Sequence, residues 1–535
     1  MASRTRTPLF TGHRRGFGER LIDFAGTLLD VDRTTLFQIA VVIGVLVGAM
    51  LIGTTAANDP RQIMLGFALV LVGLLSLLIV TRPFVGVILI VVALPIDTLI
   101  PDIPFLTSGY SVIGYFTLGA YLVRSKFQLN LRTGMRPQYF CAVLFLLWII
   151  ITNPAAAFGV ASHFDTRWVF TYIQLIVLMW LISENLTPAR IRLLMMLYVM
   201  TASFSSGLAI RDYNFARVSY AQREAGLANG INELGMYAAV GCIFALHMIN
   251  DARIPRLFRL VSPVLVAIQA LGVIATVSRG GFAMLASGLI LSMLFLNVGI
   301  PLQSVKQHAQ RFALRMMMMG IIIVGGILFV PSAYWNILSN TVDQIVSGTE
   351  VGKNRYAEGR GAVIARFFLW ERALETFSQY PITGIGVGQG RTYIDYAETY
   401  TGIYDVRRLE NAVAHNMFLS VLSETGLVGF TFYMGWLGFS SLYFVRAMLQ
   451  RESAEHAILA KTWFIAQVMI CIMGVTSSFH YSKLLWATSG VSLALFPVLR
   501  PAAQEASTQS TQPTLPLGQQ LHEPPQPPPA LPRRM

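Results

Sequence analysis

Ala414-His415-Asn416-Met417-Phe418-Leu419-Ser420-Val421-Leu422-Ser423-Glu424-Thr425-Gly426-Leu427-Val428-Gly429-Phe430 leaves a polar stretch and enters an apolar one. The apolar character extends over 415–446, longer than the roughly 20 residues a helix needs to cross a bilayer. His415 therefore stands at a hydrocarbon boundary, where an ionisable group is costly and is a functional candidate by default.

Further runs of this kind lie at 36–55, 62–81, 84–98, 107–123, 138–152, 168–184, 190–210, 234–250, 258–275, 280–299, 312–331, 459–477 and 482–499. The 535-residue chain is 54% hydrophobic and only 13% charged, about half the charged fraction of a soluble domain. These features predict an all-α, polytopic integral membrane protein with about 12–14 transmembrane helices. A barrel would show short alternating segments, whereas these runs are continuous.

The formal net charge is +13. Its excess falls in connections that would face a cytoplasm and its anionic lipid, so membrane lipid, and no nucleic acid, is the expected partner. Cys141, Cys242 and Cys471 each fall within an apolar run and read as small core residues rather than as a disulfide framework. The basic N-terminus (Arg4, Arg6, Arg14, Arg15, Arg20) lacks the short apolar core and small-residue site of a cleaved signal. Phe17, Leu21, Phe24, Ala25 and Leu28 share one helical face, which predicts an interfacial helix.

With the N-terminus inside, five basic connections also fall inside. They carry Arg124–Arg136, Arg190 and Arg192, Arg253–Arg259, Lys306–Arg315, and Arg446 and Arg451. Three features then fall outside: the connection over 211–233, the turn Ser278-Arg279-Gly280-Gly281 and the loop over 332–414. The outside arginines break the positive-inside trend and call for another explanation.

Arginine suits phosphate, because its planar fork gives bidentate hydrogen bonds and keeps its charge. Arg217, Arg223, Arg279, Arg360, Arg366 and Arg372 are thus candidates to hold a diphosphate, with Arg279 the strongest in its glycine-flanked turn. His415 is the candidate base, since a neutral imidazole can take a proton from a hydroxyl. Asn416 would orient it or a sugar. Glu424 is nine residues on, about half a turn out of phase, so it is not paired with His415. Gly384-Ile385-Gly386-Val387-Gly388-Gln389-Gly390 resembles a nucleotide loop but lacks a βαβ context. No metal-ligand set and no cofactor motif is present in the sequence pattern.

Four elements occur in order: Arg223-Glu224-Ala225-Gly226 with Asn232; Thr276-Val277-Ser278-Arg279-Gly280; Arg366-Phe367-Phe368-Leu369-Trp370 with Ala373, Pro381 and the glycine run; and His415-Asn416 with Gly426 and Gly429. Together they resemble the motifs of the O-antigen ligase and O-antigen polymerase superfamily of bacterial membrane glycosyltransferases. The resemblance implies inverting, metal-independent and cofactor-free glycan transfer at the periplasmic face of the inner membrane. The donor would be a glycan on undecaprenyl diphosphate, and the acceptor another glycan or lipid A-core. His415 and Arg279 would be catalytic; Arg217, Arg223, Arg366, Arg372 and Asn416 would bind substrate. Polysaccharide export machinery is a further partner in this picture.

The organisation expected is a basic cytoplasmic N-terminus at 1–35, a helix bundle at 36–331, a periplasmic loop domain at 332–414, C-terminal helices at 415–500 and a disordered Pro/Gln-rich cytoplasmic tail at 501–535. Protein O-oligosaccharyl transfer is an alternative outcome of the same chemistry. A flippase or transporter, and a structural assembly partner, are readings from other classes. Sparse mid-helix charge and polar features gathered on one face favour a one-sided enzyme.

Overall fold

The computed structural model describes residues 73–100, 109–125, 136–159, 166–213, 223–295, 361–388, 413–449 and 454–496, with scattered positions between 309 and 320. The interfacial N-terminal helix, the spans at 36–55 and 312–331, Arg217 and the tail lie outside the described residues, wholly or for the most part.

Among the described residues the chain is helical. In chain order the helices are α1 Pro83–Val92, α2 Gly109–Arg124, α3 Pro137–Gly159, α4 Thr166–Asn185, α5 Pro188–Asp212, α6 Ile231–Asn250, α7 Arg256–Ala275, α8 Arg279–Leu294, α9 Gly361–Gln379, α10 Met417–Leu449, α11 Ala454–Gly474 and α12 Lys483–Leu495. Six of them (α4, α5, α6, α7, α10 and α11) are long and apolar enough to cross a membrane. Helices α1 and α8 and the first part of α3 are shorter and equally apolar. The chain is a multi-pass membrane protein.

Local chemistry sets the boundaries. Pro83, Pro137 and Pro188 open α1, α3 and α5, where a missing N–H costs no hydrogen bond. Thr187 caps α5 by accepting from Arg190 N. The run at 84–98, expected as one span, ends its helix at Val92. Pro95 cannot continue the bonding pattern, and Leu94–Leu99 turns instead as a 3-10 segment. A further difference is α9, a helix within what the sequence presents as a long loop.

Helices α5, α6 and α7 pack on one another, α6 and α11 both contact α8, and α10 contacts α3, α11 and α12. Small residues and hydrogen bonds bring these backbones close, as expected where water exclusion supplies no drive. Gln269 of α7 donates to Val199 O at 3.0 Å and Ser203 Oγ at 2.8 Å on α5. Ser440 of α10 donates towards Gln467 Oε1 at 3.0 Å on α11. Trp436 and Trp486 stack at 4.0 Å between α10 and α12, and both are fully buried.

From α4 to α8 and from α10 to α12, successive helices run in opposite directions, packing side by side from α5 onward in the first group and throughout the second, so two ends are defined. One gathers the starts of α4, α6, α8, α10 and α12 with the ends of α5, α7 and α11. At the opposite end, basic side chains serve helix termini. Arg190 donates to Asn185 O and Arg136 to Leu493 O, while Arg192 joins Asp251 at 2.7 Å and Glu455 at 2.5 Å. Burial alone would raise the Asp251 carboxyl, but hydrogen bonds from His247, from Arg192 and from the Arg253 amide together hold it well below its ordinary pKa.

Candidate functional site

The chemistry-bearing motifs meet at the first of these ends. After α7, Val277 takes a left-handed conformation (φ 49) although it is β-branched and buried. Ser278 then caps α8, accepting from Gly281 N at 3.2 Å and donating to Asn232 Oδ1 at 2.9 Å. Arg279 is thereby fixed as the first residue of α8. Asn232 lies on α6, so the first two motifs of the sequence are hydrogen-bonded to each other. The Arg223 segment is anchored beside them: Glu224 N donates to Ala275 O at 3.3 Å, and Leu227 N donates to Ser205 Oγ at 3.0 Å.

His415 occupies a second left-handed turn, with φ 47. Asn416, which follows it, is buried, and its Oδ1 accepts from Phe418 N at 2.9 Å and Leu419 N at 3.1 Å. This is the N-cap of α10, and it satisfies two otherwise orphaned amides. Val277 and His415 are the non-glycine residues with positive φ among the described residues. Such conformations cost of order 1–3 kcal/mol each and concentrate at functional sites. Here they stand in the two turns that present Arg279 and His415.

Arg366 approaches from α9. Leu369, Ala373 and Thr376 are buried and follow a helical stripe that packs against α10. Arg366 sits three residues before Leu369 on the same stripe. Burial, and then the positive charge of Arg366, lower the His415 imidazole below its ordinary pKa. The neutral form, competent as a base, is thus favoured at neutral pH. Arg372 is off this stripe and pairs with Glu375 at 2.5 Å.

Beyond α9 the glycine run closes against a break in α10. Gly426 lies at φ 65, ψ −173 inside that helix. The carbonyls that the break releases accept from the loop and from α3: Ile385 N donates to Ser423 O at 3.1 Å and Gly386 N to Glu424 O at 2.9 Å, while Trp148 Nε1 donates to Thr425 O at 2.8 Å. Leu427 N returns the bond to Pro381 O at 2.8 Å. Glu424 is buried, and its carboxylate accepts from Gly388 N at 3.0 Å. A broken helix in a bilayer must have its backbone satisfied by protein, and the glycine run does that here.

The connection between α11 and α12 completes the end. Met417 of α10 packs on Gly474, whereas Gly280 of α8 packs on Met473. Ser420 and Ser478 hydroxyls lie 3.1 Å apart. His480 is buried beside Trp168, and burial pushes its imidazole down to about 3.

Of the residues singled out from the sequence, Arg366 and His415 are electrostatic neighbours. Arg279 and Arg223 occupy adjoining turns at the same end, and Asn416 caps the His415 helix. Arg372 faces its own helix neighbour, and Arg217 and Arg360 lie outside the described residues. The sequence reading missed Glu424 as the loop's anchor and Asn232 as the link between motifs. A carboxylate inside an apolar run was the available signal for Glu424. Among the described residues no three or more His, Cys, Asp or Glu side chains group so as to hold a metal ion.

Residues 264–434 match the family described as O-antigen ligase. The match runs from within α7 into α10 and includes Arg279, Arg366, Arg372, His415 and Asn416. No curated protein sequence matches the chain significantly.

Proposed function

We propose that this chain, which carries an O-antigen ligase domain of the ligase and polymerase superfamily over residues 264–434, transfers a glycan from undecaprenyl diphosphate to an acceptor sugar hydroxyl. The family match supports a membrane protein of polysaccharide biosynthesis of the O-antigen ligase type.

Its chemistry follows from the residues. His415 removes the proton of the acceptor hydroxyl as that oxygen attacks the anomeric carbon. The bond from that carbon to the phosphate oxygen breaks, and the lipid diphosphate departs with the electron pair. Arg279 and Arg366, with Arg223 beside them, stabilise the charge developing on the leaving group. Attack opposite the leaving group inverts the anomeric carbon. The donor brings its own activated bond, so the protein need supply only position, charge and a proton acceptor. The end bearing the site faces the periplasm of the inner membrane, with both termini in the cytoplasm.

One observation carries this reading: the strained turns at Val277 and His415 present a guanidinium and a neutral imidazole at one end of the bundle. The test is complementation of a deletion strain with wild type or Arg279→Lys, followed by analysis of surface glycan and lipid-linked intermediates. A point charge cannot replace the guanidinium fork. Arg279→Lys is expected to lose surface polymer and to accumulate lipid-linked glycan at the periplasmic face. A stalled full-length glycan indicates a ligase; a stalled single repeat indicates a polymerase. Stalling at the cytoplasmic face would support a flippase, and normal polymer would remove the diphosphate assignment.

The acid limb of kcat/KM offers a second test. The limb reports the base of the free enzyme, and the lowered pKa of His415 places it below about 6.5. Arg366→Gln removes a cation that opposes protonation, so the limb should move towards higher pH. Burial, the larger cause, persists and keeps it at or below the ordinary value. A limb unmoved in Arg366→Gln would separate Arg366 from the base.

A further inference from the structure

Away from the Arg279 and His415 turns, a cleft of about 320 Å³ opens between α1, α2, α4 and the start of α12. Its two ends differ chemically. Ile90, Phe170, Leu178 and Leu181 give it apolar walls, whereas Arg167 and Lys483 line it where α4 and α12 begin, which sets its mouth. Lys483 Nζ lies 4.0 Å from the Tyr110 ring centre. Between the ends runs a short polar ladder, in which Ser111 Oγ donates to Gln174 Oε1 at 3.2 Å and Gln174 Nε2 donates to the Tyr115 hydroxyl at 2.8 Å.

The cleft opens on the outer face of the bundle, where Phe170 and Tyr115 are 55% and 46% exposed. From Arg167 to Leu181 along α4 is roughly 20 Å at about 1.5 Å per residue. That is enough for one leaflet's acyl chain and its headgroup, given a hydrocarbon core of about 30 Å. Two cations above an apolar slot complement a phosphate above a hydrocarbon chain, because each part of the ligand meets its own kind of surface.

We infer that this cleft is a binding site for an anionic bilayer phospholipid, its phosphate held between Arg167 and Lys483 and an acyl chain lying against α4. The site does not depend on glycan transfer. Its mouth adjoins Trp168, the residue that packs against Gly388 and His480, so an occupied cleft would support the wall behind the glycine run.

The test uses the full chain in phosphatidylcholine vesicles containing a minor fraction of phosphatidylglycerol with a photoactivatable acyl chain. Equally labelled phosphatidylcholine is the reference. Crosslinks to peptides containing Ile90, Phe170 and Leu178 are expected to favour phosphatidylglycerol by about fivefold per cation. Arg167→Gln with Lys483→Gln should abolish that preference, and Leu178→Trp, which fills the slot, should remove the crosslinks for both lipids. Equal labelling of wild type by both lipids, or a preference that survives the double substitution, would overturn the site. Displacement of labelled phosphatidylglycerol by lipid-linked glycan, with no displacement by unlabelled phosphatidylglycerol, would give the cleft to substrate and also overturn it. The readout needs no turnover, so its failure is distinct from failure of the transferase reading.

Discussion

Replacing His415 by alanine is expected to lower kcat by about 10²- to 10⁴-fold, the usual contribution of a positioned general base, with little change in KM for the lipid-linked donor. The measurement is transfer by purified protein with a lipid-diphosphate glycan and an acceptor. The base acts only as the acceptor hydroxyl is deprotonated, so its loss belongs to the transition state rather than to ground-state binding.

The left-handed backbone at His415 complicates alanine alone, because a side chain at positive φ is strained whatever its chemistry. Asparagine adopts this region more readily than most residues, and it carries no base. His415→Asn should therefore preserve the turn and the Asn416 cap while remaining as inactive as His415→Ala. If His415→Asn restored transfer, the histidine would be a turn residue and the base would have to be sought elsewhere. His480 is a poor substitute: it is buried and its neutral form persists to about pH 3, so it would give no acid limb near neutrality.

Helix limits were largely legible in the sequence, because hydropathy and proline act locally. The runs read at 258–275 and 234–250 are Arg256–Ala275 and Ile231–Asn250 in the structure. What was not legible depends on partners far away in the chain. Hydropathy runs through Gly426 without a change, so α10 reads as one helix. The break is stable only because Ile385 and Gly386 supply amides to it. Helix α9 escaped notice because its stripe of Arg366, Leu369, Ala373 and Thr376 is too short to read as a span. For the site, the order of motifs was visible but their junctions were not. Ser278 finds Asn232 across 46 residues and Gly388 finds Glu424 across 36, and neither pairing follows from local pattern. Glu424 illustrates the gap: helical phase separates it from His415, yet only the folded loop explains why a buried carboxylate is there.

That clasp leads to the second large effect. Gly426→Ala and Gly384→Ala are each expected to abolish most transfer while leaving the protein in the membrane. At φ 65, ψ −173, position 426 occupies a region essentially reserved for glycine, at a cost of order 1–3 kcal/mol for other residues. A Cβ there would also meet Ile382 O at 2.2 Å, and one on Gly384 would meet the Glu424 carbonyl carbon at 2.3 Å. Backbone lies on both sides of the contact, so no side chain can move aside. Either substitution should release the glycine run, uncover the Ser423 and Glu424 carbonyls, and loosen the short helical segment Met417–Thr425 that carries His415. Limited proteolysis between α9 and α10 should then be faster than in wild type. Because both substitutions break one contact, the double variant should be no worse than the more severe single one. Gly438→Ala, on the same helix with no atom within 4 Å of the added Cβ, is the control and should behave as wild type. Faster cleavage with undiminished transfer would make the clasp a guard of the loop; faster cleavage with loss of transfer would make it the device that holds the base in place.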